Sequence, residues 1–242
     1  MAYSGKIHIV YDGMWGSCGK GKFCGTFARN SKFNIKICVN NNTPNAGHTF
    51  VFDDGRKVVT RHLPLGVVNP NIPYLVIGES AGIDVDVLSE ELEKYKDLIG
   101  ERKIYICDRA AVVLDSDKEM ERKSLRTGST FKGSGAALVG KIMRDEKHIA
   151  GNDERLRELE RQGKIKIINS KTFFPCVYNG LGGFRGNENI LVECSQGDAL
   201  SLNGPNFPHT TSRDCGPSQA VKDIHATDYS KNIKKYCVFR PY

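Results

Sequence analysis

The feature that most constrains this chain lies near its start. An apolar, β-branched run, residues 6–12 (Lys-Ile-His-Ile-Val-Tyr-Asp), meets Gly13-Met14-Trp15-Gly16-Ser17-Cys18-Gly19-Lys20-Gly21-Lys22. A helix is expected directly afterwards, from Lys20 to Arg29. Glycines at a strand-to-helix turn let backbone N–H groups wrap an anion, and the helix N-terminus adds positive dipole. Lys20 supplies a mobile positive charge. The segment therefore reads as a P-loop-like phosphate site, although it is not a Walker loop, because Met14 and Gly21 break that spacing. Nor does it continue as a dinucleotide fingerprint, since Cys24 holds the third glycine position. The competing reading is a tight turn with solvated lysines.

The pattern downstream predicts an α/β fold with a central, largely parallel sheet and flanking helices. Strands are expected at 34–40, 74–77, 104–107, 165–168 and 190–193. Asp53-Asp54-Gly55 between Thr49–Phe52 and Lys57–His62 signals a hairpin. Val87, Leu88, Leu92, Tyr95 and Leu98 form a helical stripe over 86–98 that Gly100 ends, and 152–162 reads as a charged helix closed by Gly163. With 242 residues, 39% hydrophobic and 26% charged, the chain can build its own core. We find neither repeats nor low-complexity linkers, so one nucleotide-binding catalytic domain over 1–242 is expected.

The remaining composition narrows the function. No run of 18 apolar residues suggests a membrane span, and Met1–Lys6 lacks a signal-peptide core. Cys18, Cys24, Cys38, Cys107, Cys176, Cys194, Cys215 and Cys237 show neither Cys-x-x-Cys nor zinc spacing. They read as free thiols in a reducing compartment, hence a cytoplasmic protein. Cys18 stands apart, because a helix N-terminus would lower its thiol pKa. The net charge of +7 comes without a basic block, which disfavours nucleic acid while favouring small anions.

Three further segments carry chemistry-bearing residues, and two follow predicted strands, at whose carboxyl ends α/β sheets bind ligands. Asn40–Thr49 holds Asn45, Gly47 and His48, a histidine placed to donate to a phosphoryl oxygen or to sit on a surface turn. Residues 126–135, with Gly128, Ser129 and Thr130, offer hydroxyls and amides for a second phosphate, or form a flexible loop. Residues 194–213 hold Gln196, Thr211 and Ser212 in a long loop of the functional kind.

Taken together these segments resemble the adenylosuccinate synthetase family. Trp15-Gly16-x-x-Gly19-Lys20-Gly21-Lys22 is similar to its phosphate loop, and Asn45-Ala46-Gly47-His48-Thr49 to its second phosphate-contact segment. Gly128-Ser129-Thr130 with Arg144 is similar to its nucleotide loop and the arginine lent across a homodimer. Gln196-Gly197 and Pro208-x-x-Thr211-Ser212 are similar to its nucleotide-contacting glutamine and threonine. The resemblance implies a ligase in which a purine O6 attacks a γ-phosphate and the amine of L-aspartate then displaces phosphate at C6.

By that resemblance Ser17, Cys18, Gly19, Lys20, Gly21, Gly47, His48 and Thr49 hold the triphosphate. Ser17 and Gly47 contact Mg2+. Ser17, Asn45, Ser129, Thr130, Gln196, Thr211 and a neighbouring subunit's Arg144 hold the monophosphate. His48 and Ser17 are the catalytic candidates. The family loop has Asp-Glu where this chain has Ser17-Cys18, and that Asp is the family's base on N1 and a magnesium ligand. In this respect, and at Thr43-Pro44 and Thr211–Cys215, the chain is similar to the phage branch. That branch uses dGMP, with ATP or dATP, on the route to DNA containing 2-aminoadenine. A shorter Ser17 leaves room for guanine's 2-amino group. Family members continue past the equivalent of Tyr242, where their aspartate loop and much of the base pocket lie. Two alternatives stay open: an ordinary family member using IMP and GTP, and a catalytically silent nucleotide-binding module.

Overall fold

The computed structural model describes residues 3–124 and 129–241. In chain order the elements are β1 (Ile7–Asp12), α1 (Lys20–Arg29), β2 (Ile35–Asn40), β3 (His48–Val51), β4 (Lys57–Thr60), β5 (Tyr74–Ile77), β6 (Gly82–Ile83), α2 (Val85–Lys94), α3 (Lys96–Ile99), β7 (Ile104–Cys107), β8 (Ala111–Val112) and α4 (Asp115–Ser124). Then come α5 (Ser134–Ile142), α6 (Glu154–Arg161), β9 (Ile165–Ile168), α7 (Ser170–Asn179), β10 (Asn189–Glu193), α8 (Pro217–Asp223) and β11 (Ile233–Val238).

Seven strands form one parallel sheet in the order β11-β1-β10-β2-β5-β7-β9. Side chains alternate between its two buried faces, as parallel strands require. Val10, Cys38, Leu75, Ile77 and Leu191 pack on one side with Cys24, Phe27, Leu88 and Leu156. Ile7, Ile9, Ile37, Val39, Val76, Ile190 and Val192 pack on the other with Phe174, Val177, Tyr178 and Ala220. The β3–β4 hairpin is antiparallel, pairs His48 with Thr60, and lies against α1. Gly25 of α1 has no room for a Cβ because the Phe50 ring occupies it.

The topology has one consequence for function. β10, late in sequence, lies between β1 and β2. The loops leaving β1, β10 and β2 therefore emerge side by side at the carboxyl edge, and these are three of the four segments singled out in the sequence.

Most predicted elements are present, and α1 has the expected bounds. The 86–98 stripe is interrupted at Tyr95, which separates α2 from α3. Tyr95 has non-helical dihedrals, φ −111° and ψ 19°, and its hydroxyl ties the junction to β4, donating to the Val59 carbonyl at 2.8 Å and accepting from the Val59 N–H at 2.9 Å. Six elements had no clear sequence signal, the two-residue strands β6 and β8 among them. α7 contains Pro175, a residue that argues against a helix interior. α4 is almost wholly polar, α8 is short, and β11 is a lysine-bearing edge strand. No helix among the described residues is long and apolar enough to cross a membrane.

His62 lies beneath α2, 1% exposed, and its Nε2 accepts from the Asp84 N–H at 3.2 Å. Burial drives its pKa down to about 4 from 6.5, with Asp84's charge opposing and Arg61's adding. The unfolded chain binds this proton more readily, so folding stability is full above pH 6.5 and is lost as pH falls towards 4. The loss from this group is about 3 kcal/mol. Urea unfolding across that window should give a visibly shallower pH slope for His62→Gln than for wild type, and parallel curves would refute the assignment.

Candidate active site

Three glycine-bearing loops and the β3 hairpin enclose a cavity of about 700 Å³ at the carboxyl edge of the sheet. That volume is in the range of small-molecule sites. Ser17 and Lys20 come from the loop after β1. Asn45, Gly47 and His48 come from the segment after β2. Ser129 and Thr130 come from the loop before α5, and Gln196 and Thr211 from the loop after β10. Nine of the residues singled out in the sequence thus share one wall. Cys18, Gly19, Gly21, Thr49 and Arg144 are not part of it. Gly128 lies outside the described residues.

The phosphate loop has the backbone of an anion cradle. Gly16, Ser17 and Gly19 all take left-handed φ values, 93°, 56° and 95°. Such turns point successive N–H groups inward. Ser17 does so without being glycine, a strain typical of binding loops. Gly21 opens α1 where a Cβ would lie 2.5 Å from the Thr49 backbone, so only glycine lets helix and hairpin meet. The phosphate loop and the His48 segment are therefore in direct contact.

His48 is buried and held at one nitrogen. Its Nδ1 lies 2.9 Å from Glu193 Oε2, while Nε2 has no protein partner. Glu193 is fully buried at the last residue of β10. Its Oε1 accepts from the Cys38 thiol at 3.0 Å and from the Leu65 N–H at 2.7 Å. The carboxylate fixes the ring with Nδ1 as donor, and Nε2 is left buried without a protein partner. The surface-turn reading of His48 is excluded by its 4% exposure.

Gln196 sits in the left-handed region, φ 53°, and its Oε1 accepts from the Cys215 thiol at 3.3 Å. Gly197 presses on the phosphate loop where a Cβ would collide with the Met14 carbonyl. Arg213 donates to the carbonyls of Asn41 and Ser80 and to the Ser195 hydroxyl, which pins the Thr211 loop across the ends of β2, β5 and β10. Asn45 Oδ1 accepts from Thr43 and, at 3.4 Å, from Ser134. Arg144 is exposed at φ 63°, just beyond α5 and beside the exposed Val139, Ile142 and Met143.

One expectation is reversed. The Cys18 thiol pKa is raised rather than lowered: burial and its hydrogen bond to Asp12 outweigh the charge of Lys20. All eight cysteines are free thiols, as expected.

Three carboxylates carry roles that the sequence pattern did not assign. Glu193 orients His48, Asp12 pairs with Lys20 at 3.4 Å, and Glu121 on α4 organises the loop before α5. Glu121 accepts from the Ser129 hydroxyl at 3.0 Å and from the N–H groups of Gly133 and Gly135 at 2.9 and 2.8 Å. The available signal was an acid ending an apolar strand, at Asp12 and Glu193. Glu121 had none, since α4 is full of charge. In Glu121→Ala, the freed donors should lower the local opening energy by about 2 kcal/mol. Hydrogen exchange at Gly133–Ala136 should then quicken about thirtyfold, and unchanged rates would refute this role.

Comparison with known proteins fits this arrangement. The family model described as adenylosuccinate synthetase matches residues 9–173. The N6-succino-2-amino-2'-deoxyadenylate synthase of Vibrio phage phiVC8 is 33% identical over 222 residues, covering 90% of this chain and 62% of that one. The adenylosuccinate synthetase of Methanococcus aeolicus is 31% identical, covering 89% and 60%. The structure of the cyanophage S-2L succinoaminodeoxyadenylate synthetase, bound to dGMP and dATP as an energy donor, superimposes with a TM-score of 0.84 at 27% identity. That match covers 98% of this chain and 65% of that one. The chain thus spans about three fifths of the length of these relatives. The matched region runs from β1 into α7 and contains the phosphate loop, His48 and the Ser129 loop: the chain belongs to the adenylosuccinate synthetase family.

Proposed function

We propose that this chain acts in joining L-aspartate to C6 of dGMP, with ATP or dATP as phosphate donor, to give N6-succino-2-amino-2'-deoxyadenylate. The observation that carries this reading is the single cavity shared by Ser17, His48, Gln196 and Thr211. A relative of similar fold is bound to dGMP and dATP, and another carries the name of that synthase.

Each residue has a task that follows from its position. The left-handed loop 16–19 offers N–H groups to the triphosphate, and Lys20 offers charge. Asn45, Ser129, Thr130, Gln196 and Thr211 surround the monophosphate with neutral donors. His48 Nε2 faces the oxygen that accepts and later releases phosphate, and Glu193 stabilises the ring when that nitrogen carries a proton. Ser17 has a hydroxyl, too weak to take the N1 proton at neutral pH. Its contribution is to orient guanine's N1–H and 2-amino edge.

Mg2+ fits this site only as an ion carried by the triphosphate. Ser17 Oγ and the Gly47 carbonyl are hard oxygen donors suited to it, and no cluster of three metal-binding side chains occurs among the described residues. When bound it offsets phosphate charge. Arg144, outside its own chain's cavity and flanked by exposed Ile142 and Met143, supports a homodimer in which it serves the partner's monophosphate. Free thiols throughout suit the host cytoplasm.

Mass spectrometry of products from dGMP or IMP, each with L-aspartate and ATP, dATP or GTP, tests the reading. Succinylated 2-aminodeoxyadenylate from dGMP with ATP or dATP is expected. Product from IMP and GTP alone would make this an ordinary adenylosuccinate synthetase, and nucleotide binding without phosphate release would make it a silent module.

Two variants test the roles. His48→Ala should lower kcat about 10²–10⁴-fold with a smaller change in KM. Ser17→Asp should lose dGMP turnover at least about tenfold relative to IMP, because the larger anion crowds the 2-amino group. Equal use of dGMP by variant and wild type would remove the space argument.

A further inference from the structure

Lys20 has two partners on the protein. Its Nζ lies 3.4 Å from Asp12 Oδ2 and also donates to the backbone carbonyl of Gln196. Lys20 is 5% exposed yet contributes to the cavity wall, so its ammonium is within reach of a bound anion while held from behind.

Asp12 is built into the loop that must bind that anion. It ends β1, and its side chain has no exposed surface. Oδ1 accepts from the Met14 N–H at 2.7 Å, and Oδ2 lies 3.4 Å from Lys20 Nζ. These bonds, with the charge of Lys20, outweigh burial and hold its carboxyl below the ordinary range, so it is ionised at neutral pH. It does not line the cavity and cannot itself touch a ligand. A loop designed to fold round a phosphate is thus also folded round a carboxylate of its own.

We propose that Asp12 is an internal counter-ion that competes with an incoming polyphosphate for Lys20. The carboxylate draws the ammonium back towards the Gln196 carbonyl and so sets the affinity of the loop for the donor triphosphate. Asp12 is a positioning residue, acting through Lys20 alone. The competition weakens ground-state binding of anions and keeps a buried lysine paired whichever partner it has. This inference rests on the reading of residues 16–22 as a polyphosphate site.

Trp15 is the sole tryptophan and sits half-exposed on the same loop, so its emission reports occupancy directly. Sodium tripolyphosphate and Mg–ATP are titrated against wild type, Asp12→Asn, Lys20→Met and the double variant. Asp12→Asn should bind both ligands about tenfold tighter than wild type, the gain expected when one charge-assisted bond no longer competes. In the Lys20→Met background the same change should have no effect. Damage to the loop would weaken binding instead.

Thermal melting gives a second reading. Asp12→Asn should melt lower than wild type without ligand and gain more on adding tripolyphosphate. Asp12→Ser, which also offers Met14 an acceptor, serves if the first variant fails to fold. Unchanged or weaker binding in the Asp12 variants, or tightening that persists without Lys20, overturns the proposal. Absence of saturable tripolyphosphate binding by wild type overturns the phosphate-site reading as well.

Discussion

A carboxylate with no exposed surface holds this site together. Glu193 reaches from the end of β10 to the His48 ring on β3, the Cys38 thiol on β2 and the Leu65 N–H. A buried charge is tolerable only when fully hydrogen-bonded, and removal of one partner is costly. The bonds therefore fix the relative positions of the strands that carry them. The ring of His48 takes its orientation from this one residue, which leaves Nε2 buried without a protein partner.

Strand order makes that interaction available. With β10 placed between β1 and β2, Glu193, Asp12 and Asn40 end three neighbouring strands. Each polar end group serves the loop next to it. Asp12 holds Lys20, Glu193 holds His48, and Asn40 donates through Nδ2 to the carbonyls of His62 and Arg61 at 3.2 and 3.3 Å. Apolar strands carry the core, and a single terminal polar residue on each carries the geometry of the site. The close approaches at Gly21 and Gly197 then bring the loops together at backbone distance, which no larger residue permits.

Much of this was legible in the residues. The parallel α/β class followed from apolar runs alternating with helical stripes, and the phosphate loop from glycines, lysines and a helix start in one place. The His48, Ser129, Gln196 and Thr211 segments stood out by their residue types, the resemblance to the family added their roles, and these residues line one cavity. What could not be read has a common physical cause. Pro175 argued against α7, yet the helix is secured by burial of Phe174, Val177 and Tyr178 in the core. Glu121 looked like one more surface acid on a charged helix. Cys18 stood at a helix start, where a lowered thiol pKa is the usual outcome, but its burial, and then Asp12 beside it, reverse it.

The sequence by itself determined local events: which residues form strands, where α1 begins, and which loops carry glycine, histidine and hydroxyl groups. These depend on side-chain periodicity and backbone sterics within a few residues. Only the tertiary structure decided that β10 separates β1 from β2, that Asp12, Glu193 and Glu121 face inward, and that Arg144 lies off its own chain's cavity. These depend on contacts between residues far apart in the chain, such as Lys20 with Gln196, 176 positions away. Local sequence pattern cannot encode them, because burial of a charge is settled by which strands happen to be neighbours.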